Sequence, residues 1–118
     1  MDDIHLYKGV LFFVRNASEE QVGRFLDALY EVYPAPINYF IKDITCTERR
    51  VAFHNASFYN RDFETIIKEY QDILTDGGIV REMSFQGEEM GIHFYTIMNG
   101  KLVICGVKVM PNFIWKEV

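Results

Sequence analysis

The chain has 118 residues, of which 49% are hydrophobic and 25% charged, and its formal net charge is −5. The length suits one domain over residues 1–118, and the composition excludes a disordered chain or a repeat array. The acidic balance argues against a uniformly basic nucleic-acid-binding protein. Because the sequence shows no signal peptide and no apolar run of the roughly 20 residues that a membrane helix needs, we expect a cytoplasmic protein without membrane contact.

The first predicted element is a buried strand over residues 7–15, which is largely apolar, aromatic and β-branched. Ser18 and Gln21 then fit a capping box, which marks the start of a helix. Apolar residues recur at helical spacing as far as Tyr33, and Pro34 stops the pattern. The sequence therefore predicts one amphipathic helix directly after the first strand.

The middle of the chain predicts three strands and a second helix. Residues 37–46 alternate apolar and polar side chains, which indicates the second strand, and residues 50–55 indicate the third. A second apolar stripe predicts a helix over residues 61–76, with Gly77-Gly78 as its C-terminal stop. Residues 79–86 are predicted as the fourth strand.

Asn99-Gly100 between two apolar runs predicts a β-hairpin, which forms a C-terminal extension over residues 91–110. Both faces of this hairpin are apolar, so we expect it to be covered on both sides or to form an interface. Its edge strand could also pair with a second copy in a homodimer. The apolar tail, residues 112–115, is expected to pack back. The two-residue turn predicts that Ile97 faces Leu102, Tyr95 faces Ile104 and His93 faces Gly106.

An internal repeat suggests the topology. The tripeptide Asn-Ala-Ser follows the first strand at residues 16–18 and the third at residues 55–57, and the two helical stripes align. Two consecutive split βαβ units specify an α+β, ferredoxin-like βαββαβ sandwich with both helices on one face of an antiparallel sheet. We predict the strand order 4-1-3-2, with residues 10–14 central and the hairpin appended. The predicted core comprises Phe12, Val14, Phe25, Leu26, Leu29, Ile66, Ile67, Tyr70 and Leu74.

The sequence offers no catalytic constellation. Its histidines and cysteines lack metal-ligand spacing, and no glycine-rich segment has the context of a phosphate loop. Glu88-Glu89 near His93 is the one pair that could serve general acid–base chemistry, but adjacent surface glutamates are usually just solvated. We therefore predict a protein that is not an enzyme, with no catalytic residues, no metal and no cofactor.

Acidic residues outnumber basic residues in both predicted helices, by the same margin, whereas the rest of the chain is close to neutral. Both helices would lie on one side of the sheet. We therefore expect that side of the molecule to be acidic and the other side to be close to neutral. An ordinary solvated helix surface explains this pattern, and so does a face that docks on a basic partner. The candidate partner-binding residues of this acidic helical face are Glu20, Asp27, Glu31, Glu69, Asp72 and Asp76.

Phe12-Phe13-Val14-Arg15-Asn16 and the helix after it resemble the first-strand signature and first helix of RNA-recognition-motif domains. Arg49-Arg50-Val51-Ala52-Phe53 is similar to their third-strand signature, although Val51 replaces an aromatic residue and Arg50 a glycine. The resemblance implies an alternative function, single-stranded RNA binding on the open face of the sheet, where that family stacks bases. The implied RNA-binding residues are Phe13, Arg15, Arg49 and Phe53.

The segment from Phe85 to Phe94 resembles a Glu-containing, Gly-Met-Gly-type turn in ferredoxin-like domains of certain phage and plasmid proteins, which have no settled activity. The resemblance implies an origin in a mobile genetic element. By analogy, a small acidic domain of that origin would inhibit a host defence protein, such as a nucleic-acid-targeting nuclease. The leading hypothesis is therefore a non-enzymatic protein-binding module that acts as an inhibitor or adaptor.

Overall fold

The computed structural model describes residues 3–86 and 89–109, which form one six-stranded antiparallel sheet and three α-helices. The strands lie side by side in the order β2-β3-β1-β4-β5-β6. A single 3-10 turn, Gln71–Ile73, precedes β4. No helix within these residues is long and apolar enough to cross a membrane. The elements are β1 (Ile4–Phe13), α1 (Glu19–Val32), α2 (Ile37–Asp43), β2 (Ile44–Cys46), β3 (Arg50–Tyr59), α3 (Asn60–Glu69), β4 (Leu74–Gln86), β5 (Glu89–Met98) and β6 (Lys101–Val109).

The predicted central position of the first strand is confirmed, because β1 pairs with β3 on one side and β4 on the other. The predicted start of the first helix is confirmed as well. The Ser18 hydroxyl accepts a hydrogen bond from the backbone N–H of Gln21, and the Gln21 side chain accepts one from the backbone N–H of Ser18. This reciprocal cap satisfies two backbone donors that the helix would otherwise leave without partners.

The hairpin is also confirmed, with its turn at Asn99 and Gly100 and every predicted cross-strand pair in register. Asn99 has φ 52° and Gly100 φ 76°, the conformations that a tight two-residue turn requires. The predicted packing of the tail at residues 112–115 lies outside the described residues. The hairpin extends the sheet beyond β4, so that β6 is a long edge strand of nine residues.

The prediction of a strand over residues 37–46 is wrong for most of its length, since residues 37–43 form α2 and only Ile44–Cys46 pair with β3. The carbonyl of Pro36 accepts hydrogen bonds from Tyr39 and Phe40, which starts a helical turn. Phe40 then packs edge-to-face against two aromatic rings of α1 and its C-cap, Tyr30 and Tyr33. This contact holds the segment against α1 rather than in the sheet.

The second helix is shorter than predicted. It ends at Glu69 instead of residue 76, and Leu74 already belongs to β4. Gly77 and Gly78 do not end a helix. They lie in a bulge of β4 opposite Leu11, where a Cβ on Gly78 would come within 2.4 Å of the Val10 carbonyl oxygen.

The prediction that the second Asn-Ala-Ser tripeptide lies between a strand and a helix is also wrong. Residues 55–57 lie inside β3 and cap no helix. Asn55 has φ 55° and forms a bulge, since Tyr7 pairs with Ala56 while Lys8 pairs with His54. An Asn tolerates this left-handed conformation better than most residues. The tripeptide that predicts a helix start therefore marks a kink in a continuous strand.

The hydrophobic core lies between the sheet and the helices. Two predicted core residues, Phe12 and Val14, do not belong to it; Tyr7, Leu11 and Phe13 face the helices instead. Of the other predicted core residues, Leu26 and Tyr70 are partly buried against the core. The remaining five are buried: Phe25, Leu29, Ile66, Ile67 and Leu74.

Candidate interaction surfaces

The face of the sheet opposite the helices carries large apolar side chains that are exposed to solvent. Ile79 is 56% exposed and Phe85 62%, and their neighbours include Phe94 and Met98. Contiguous apolar side chains exposed on one face mark an interaction surface when the patch is large. We call this surface the open face; its residues are Leu6, Lys8, Val10, Phe12, His54, Ile79, Arg81, Met83, Phe85, Ile92, Phe94, Thr96, Met98, Val103 and Cys105.

The open face carries positive but no negative side chains among the described strand residues. Lys8 on β1 and Arg81 on β4 are direct cross-strand neighbours, and Arg81 is in turn the cross-strand neighbour of Phe94 on β5. The Nε atom of Arg81 is buried and has no hydrogen-bond partner. Interfaces between proteins are enriched in aromatic residues, methionine and arginine, and the open face has this composition.

The residues predicted for the acidic helical face are all exposed, but the structure spreads them over more than the helices. Asp72 lies in the 3-10 turn and Asp76 in β4. Glu20 forms an ion pair with Arg24, and the Asp76 carboxylate accepts a hydrogen bond from the Asn99 backbone N–H at 3.1 Å. The excess of acidic over basic residues predicted for the second helix is smaller in α3, because the helix ends at Glu69.

The RNA-binding face implied by the sequence resemblance is wrong in its aromatic residues. Phe13 is 5% exposed and Phe53 1%, and both point toward the helices. Phe13 packs edge-to-face on Phe25, and Phe53 packs on Phe63. Side chains alternate along a strand, so the neighbouring Phe12 lies on the open face instead.

The two arginines of that implied face do come together, in a cleft of about 770 Å³ at the end of the sheet. We call it the arginine cleft; Arg15, Arg49 and Arg50 line it, together with Glu48 and others. The turn between β2 and β3 is fixed there by Thr47. The Thr47 hydroxyl accepts hydrogen bonds from the backbone N–H groups of Arg49 and Arg50, each at 3.2 Å.

A buried polar cluster lies on the helical side of the sheet, around Glu82, which is 1% exposed. One carboxylate oxygen of Glu82 accepts hydrogen bonds from the hydroxyls of Tyr7 at 2.5 Å and Tyr95 at 2.9 Å. The Nδ1 atom of His93 lies 3.0 Å from the other oxygen, and that of His5 lies 3.4 Å from the first. Burial, together with the nearby carboxylate, raises the pKa of both tyrosines. We call these five residues the Glu82 cluster.

Sequence reasoning missed the Glu82 cluster, because its members are far apart in the chain. The available signal was a charged residue at a core-facing position of a strand, between Val80 and Ser84. The partner considered for His93, Glu88-Glu89, is not placed: Glu88 lies outside the described residues, as does the Glu89 side chain. His93 approaches Glu82 instead, with its ring lying against Gly106.

No group of three or more His, Cys, Asp or Glu side chains within the described part of the chain is arranged to hold a metal ion. In comparisons with known proteins, no family model matches the chain, and no curated protein or solved structure matches it either. The functional argument therefore depends on the surfaces themselves. These are the open face, the arginine cleft, the acidic helical face and the Glu82 cluster.

Proposed function

We propose that the protein is a non-enzymatic binding module that docks a protein partner on its open face. The observation that supports this proposal best is the apolar surface that the sheet exposes within residues 3–86 and 89–109. Among those residues it carries positive charge and no acidic side chain. Exposed apolar side chains favour association, because docking removes them from water.

The chemistry of the open face specifies its partner. Lys8 and Arg81 lie inside the apolar surface, so a matching partner presents apolar residues with carboxylates among them. The unpartnered Nε of Arg81 favours an acceptor in the docked state, since a buried donor without a partner is costly. Two copies packed open face to open face would oppose like charges. A homodimer through β6 remains compatible with the fold, because edge pairing leaves the open face free.

The nature of the partner is proposed from resemblance. We propose a ferredoxin-like fold with an appended hairpin, supported by the order β2-β3-β1-β4 and by helices packed on one side of the sheet. The resemblance of the segment from Phe85 to Phe94 to phage and plasmid proteins favours a mobile-element origin. The partner would then be a host defence protein, such as a nucleic-acid-targeting nuclease, which this protein inhibits.

The proposal is tested by affinity purification with mass spectrometry and then by titration with the purified partner. Ile79→Glu/Phe94→Glu places two negative charges on the open face. The matched control is Ile37→Glu/Ile41→Glu, because these α2 side chains are also exposed, by 53% and 65%. We expect the open-face variant to lose the partner, with a Kd weakened about 30-fold or more, and the control to keep it.

Three outcomes contradict the proposal. Retention of the partner by the open-face variant does so directly. Loss of the partner by Asp27→Lys/Glu31→Lys, with the open-face variant unaffected, would instead place docking on the acidic helical face. Micromolar binding of single-stranded RNA that Phe12→Ala and Phe94→Ala both weaken, measured by fluorescence anisotropy, would make the open face a nucleic-acid surface. Light scattering of the wild type measures the homodimer separately.

A further inference from the structure

We propose that the arginine cleft binds a small phosphorylated ligand through Arg15, Arg49 and Arg50. This inference does not depend on a protein partner docking on the open face, although the cleft adjoins that face at Phe12. Guanidinium groups match phosphate oxygens with paired hydrogen bonds. Three arginines line this one cavity.

The charges that line the cleft favour an anionic ligand. Arg15, Arg49 and Arg50 are exposed, and within the described residues none of their guanidinium groups has an ion pair or hydrogen bond. Glu48 is the acidic residue among those lining the cleft, so the lining carries a net positive charge. What distinguishes these three arginines in a chain of net charge −5 is that they line the same cavity. A bound phosphate group would relieve their mutual repulsion.

The backbone around the cleft is held in place before any ligand binds. Thr47 ties together the N–H groups of Arg49 and Arg50, and the Arg49 carbonyl accepts a hydrogen bond from Phe13 at 2.8 Å. Val14 also lines the cleft, and its N–H donates to the Ile73 carbonyl at 2.8 Å. The arginines therefore extend from fixed positions, which lowers the entropy lost on binding.

The volume of the arginine cleft and its lining residues other than the arginines indicate the class of ligand. A volume of about 770 Å³ lies within the range of small-molecule sites and is large enough for a nucleotide. Phe12 and Val14 provide apolar surface beside the charges, and Thr75 a hydroxyl. The shared chemistry is a phosphate chain, which a nucleoside diphosphate and inorganic pyrophosphate both supply.

Isothermal titration calorimetry with adenosine diphosphate, inorganic pyrophosphate and adenosine tests the proposal. We expect the two phosphate compounds to bind and adenosine not to bind. Arg15→Gln and Arg49→Gln should each weaken the Kd about 10- to 100-fold, whereas the control Lys68→Gln, which removes one exposed charge on α3, should leave it unchanged. Glu48→Gln should strengthen binding about 3- to 10-fold, since it removes a repelling charge. A purely structural role for these residues would not produce that gain.

The comparison of ligands separates the two sources. Tighter binding of adenosine diphosphate identifies a nucleotide ligand that uses the apolar wall, and equal binding of pyrophosphate identifies a phosphate chain alone. Circular dichroism of each variant verifies that the fold is intact. The proposal is overturned if neither phosphate compound binds at about 1 mM, or if adenosine binds as tightly as its diphosphate.

Discussion

Glu82 is the one buried charged residue among the described residues of the chain. A carboxylate taken out of water is destabilising unless it is paired or hydrogen-bonded, and here two tyrosine hydroxyls and two imidazoles surround it. The same contacts satisfy the two hydroxyls, whereas the Nδ1 atoms of His5 and His93 are buried and make no hydrogen bond. Tyr7 also stacks on Phe63 with ring centroids 3.9 Å apart, which joins the cluster to α3.

We predict that Glu82→Ala lowers the free energy of unfolding by about 2–5 kcal/mol, because it leaves two buried hydroxyls without an acceptor and opens a cavity. Glu82→Gln should cost much less, since its amide oxygen can accept from both tyrosines. Urea unfolding followed by circular dichroism measures both values. Equal losses for the two substitutions would show that the hydroxyls do not need this acceptor.

The buried tyrosines also predict how stability depends on pH. Burial and the hydrogen bond to Asp43 raise the pKa of Tyr33 to about 12, and the pKa values of Tyr7 and Tyr95 are raised as well. Above the usual tyrosine pKa of about 10, the unfolded chain loses protons that the folded chain keeps. The stabilisation is therefore complete below about pH 10 and declines as the pH rises, and the part that Tyr33 contributes is lost as the pH passes through about 12.

We predict that Tyr33→Phe makes the loss of stability between about pH 10 and pH 12 shallower, because one tyrosine no longer contributes to the difference in bound protons. Tyr39→Phe is the control, since that side chain is 52% exposed. Urea unfolding at a series of pH values gives the slopes. If both variants lose stability as steeply as the wild type, Tyr33 does not keep its proton in the folded state.

At the scale of elements, sequence motifs predict correctly those features that depend on residues close together in the chain. The capping box at Ser18 and the turn at Asn99 each involve residues within a few positions of one another, and both are confirmed. The alternation in residues 37–43 fits a strand, but the packing of Phe40 on α1 decides for a helix. The bulge at Gly77-Gly78 depends on the close approach of β1, and no local pattern contains that information.

The faces of β1 were ambiguous for a related reason. Phe12 and Phe13 are both large and apolar, so hydrophobicity cannot say which of them faces the core. The contacts of Phe13 with Phe25 settle the alternation, and they depend on where α1 packs. The contacts of Glu82 are harder still to predict from the sequence. Tyr7 is distant in the chain and becomes a neighbour of Glu82 only through the pairing of β1 with β4.

We predict opposite effects on stability for alanine substitutions at two glycines, one in the close contact of β1 with β4 and one on the surface of α1. Gly9 has φ 143°, and a Cβ there would come within 2.1 Å of the Ile79 carbonyl oxygen, so Gly9→Ala should destabilise the fold by about 2–4 kcal/mol. Gly23 lies in the middle of α1 with nothing near its Cβ position, so Gly23→Ala should stabilise it by about 0.5–1 kcal/mol. Thermal unfolding measures both; a tolerated Gly9→Ala would contradict the close strand approach.

At the scale of the whole molecule, charge is separated between the two sides of the sheet. The open face carries Lys8 and Arg81, and α1 on the opposite side carries mainly acidic side chains, including Asp27 and Glu31. Such a separation gives the protein an orientation in an electric field, which guides the approach of a charged partner before contact. The effect weakens as salt shortens the range of the field.

This separation has a practical consequence for any assay that attaches the protein to a solid support. A negatively charged matrix would attract the open face and hide it, although the protein as a whole is acidic. A positively charged matrix would attract α1 and leave the open face toward the solution. The charge of the sensor chip therefore decides which side of the molecule an analyte can reach. The same sample would give different binding signals in the two orientations.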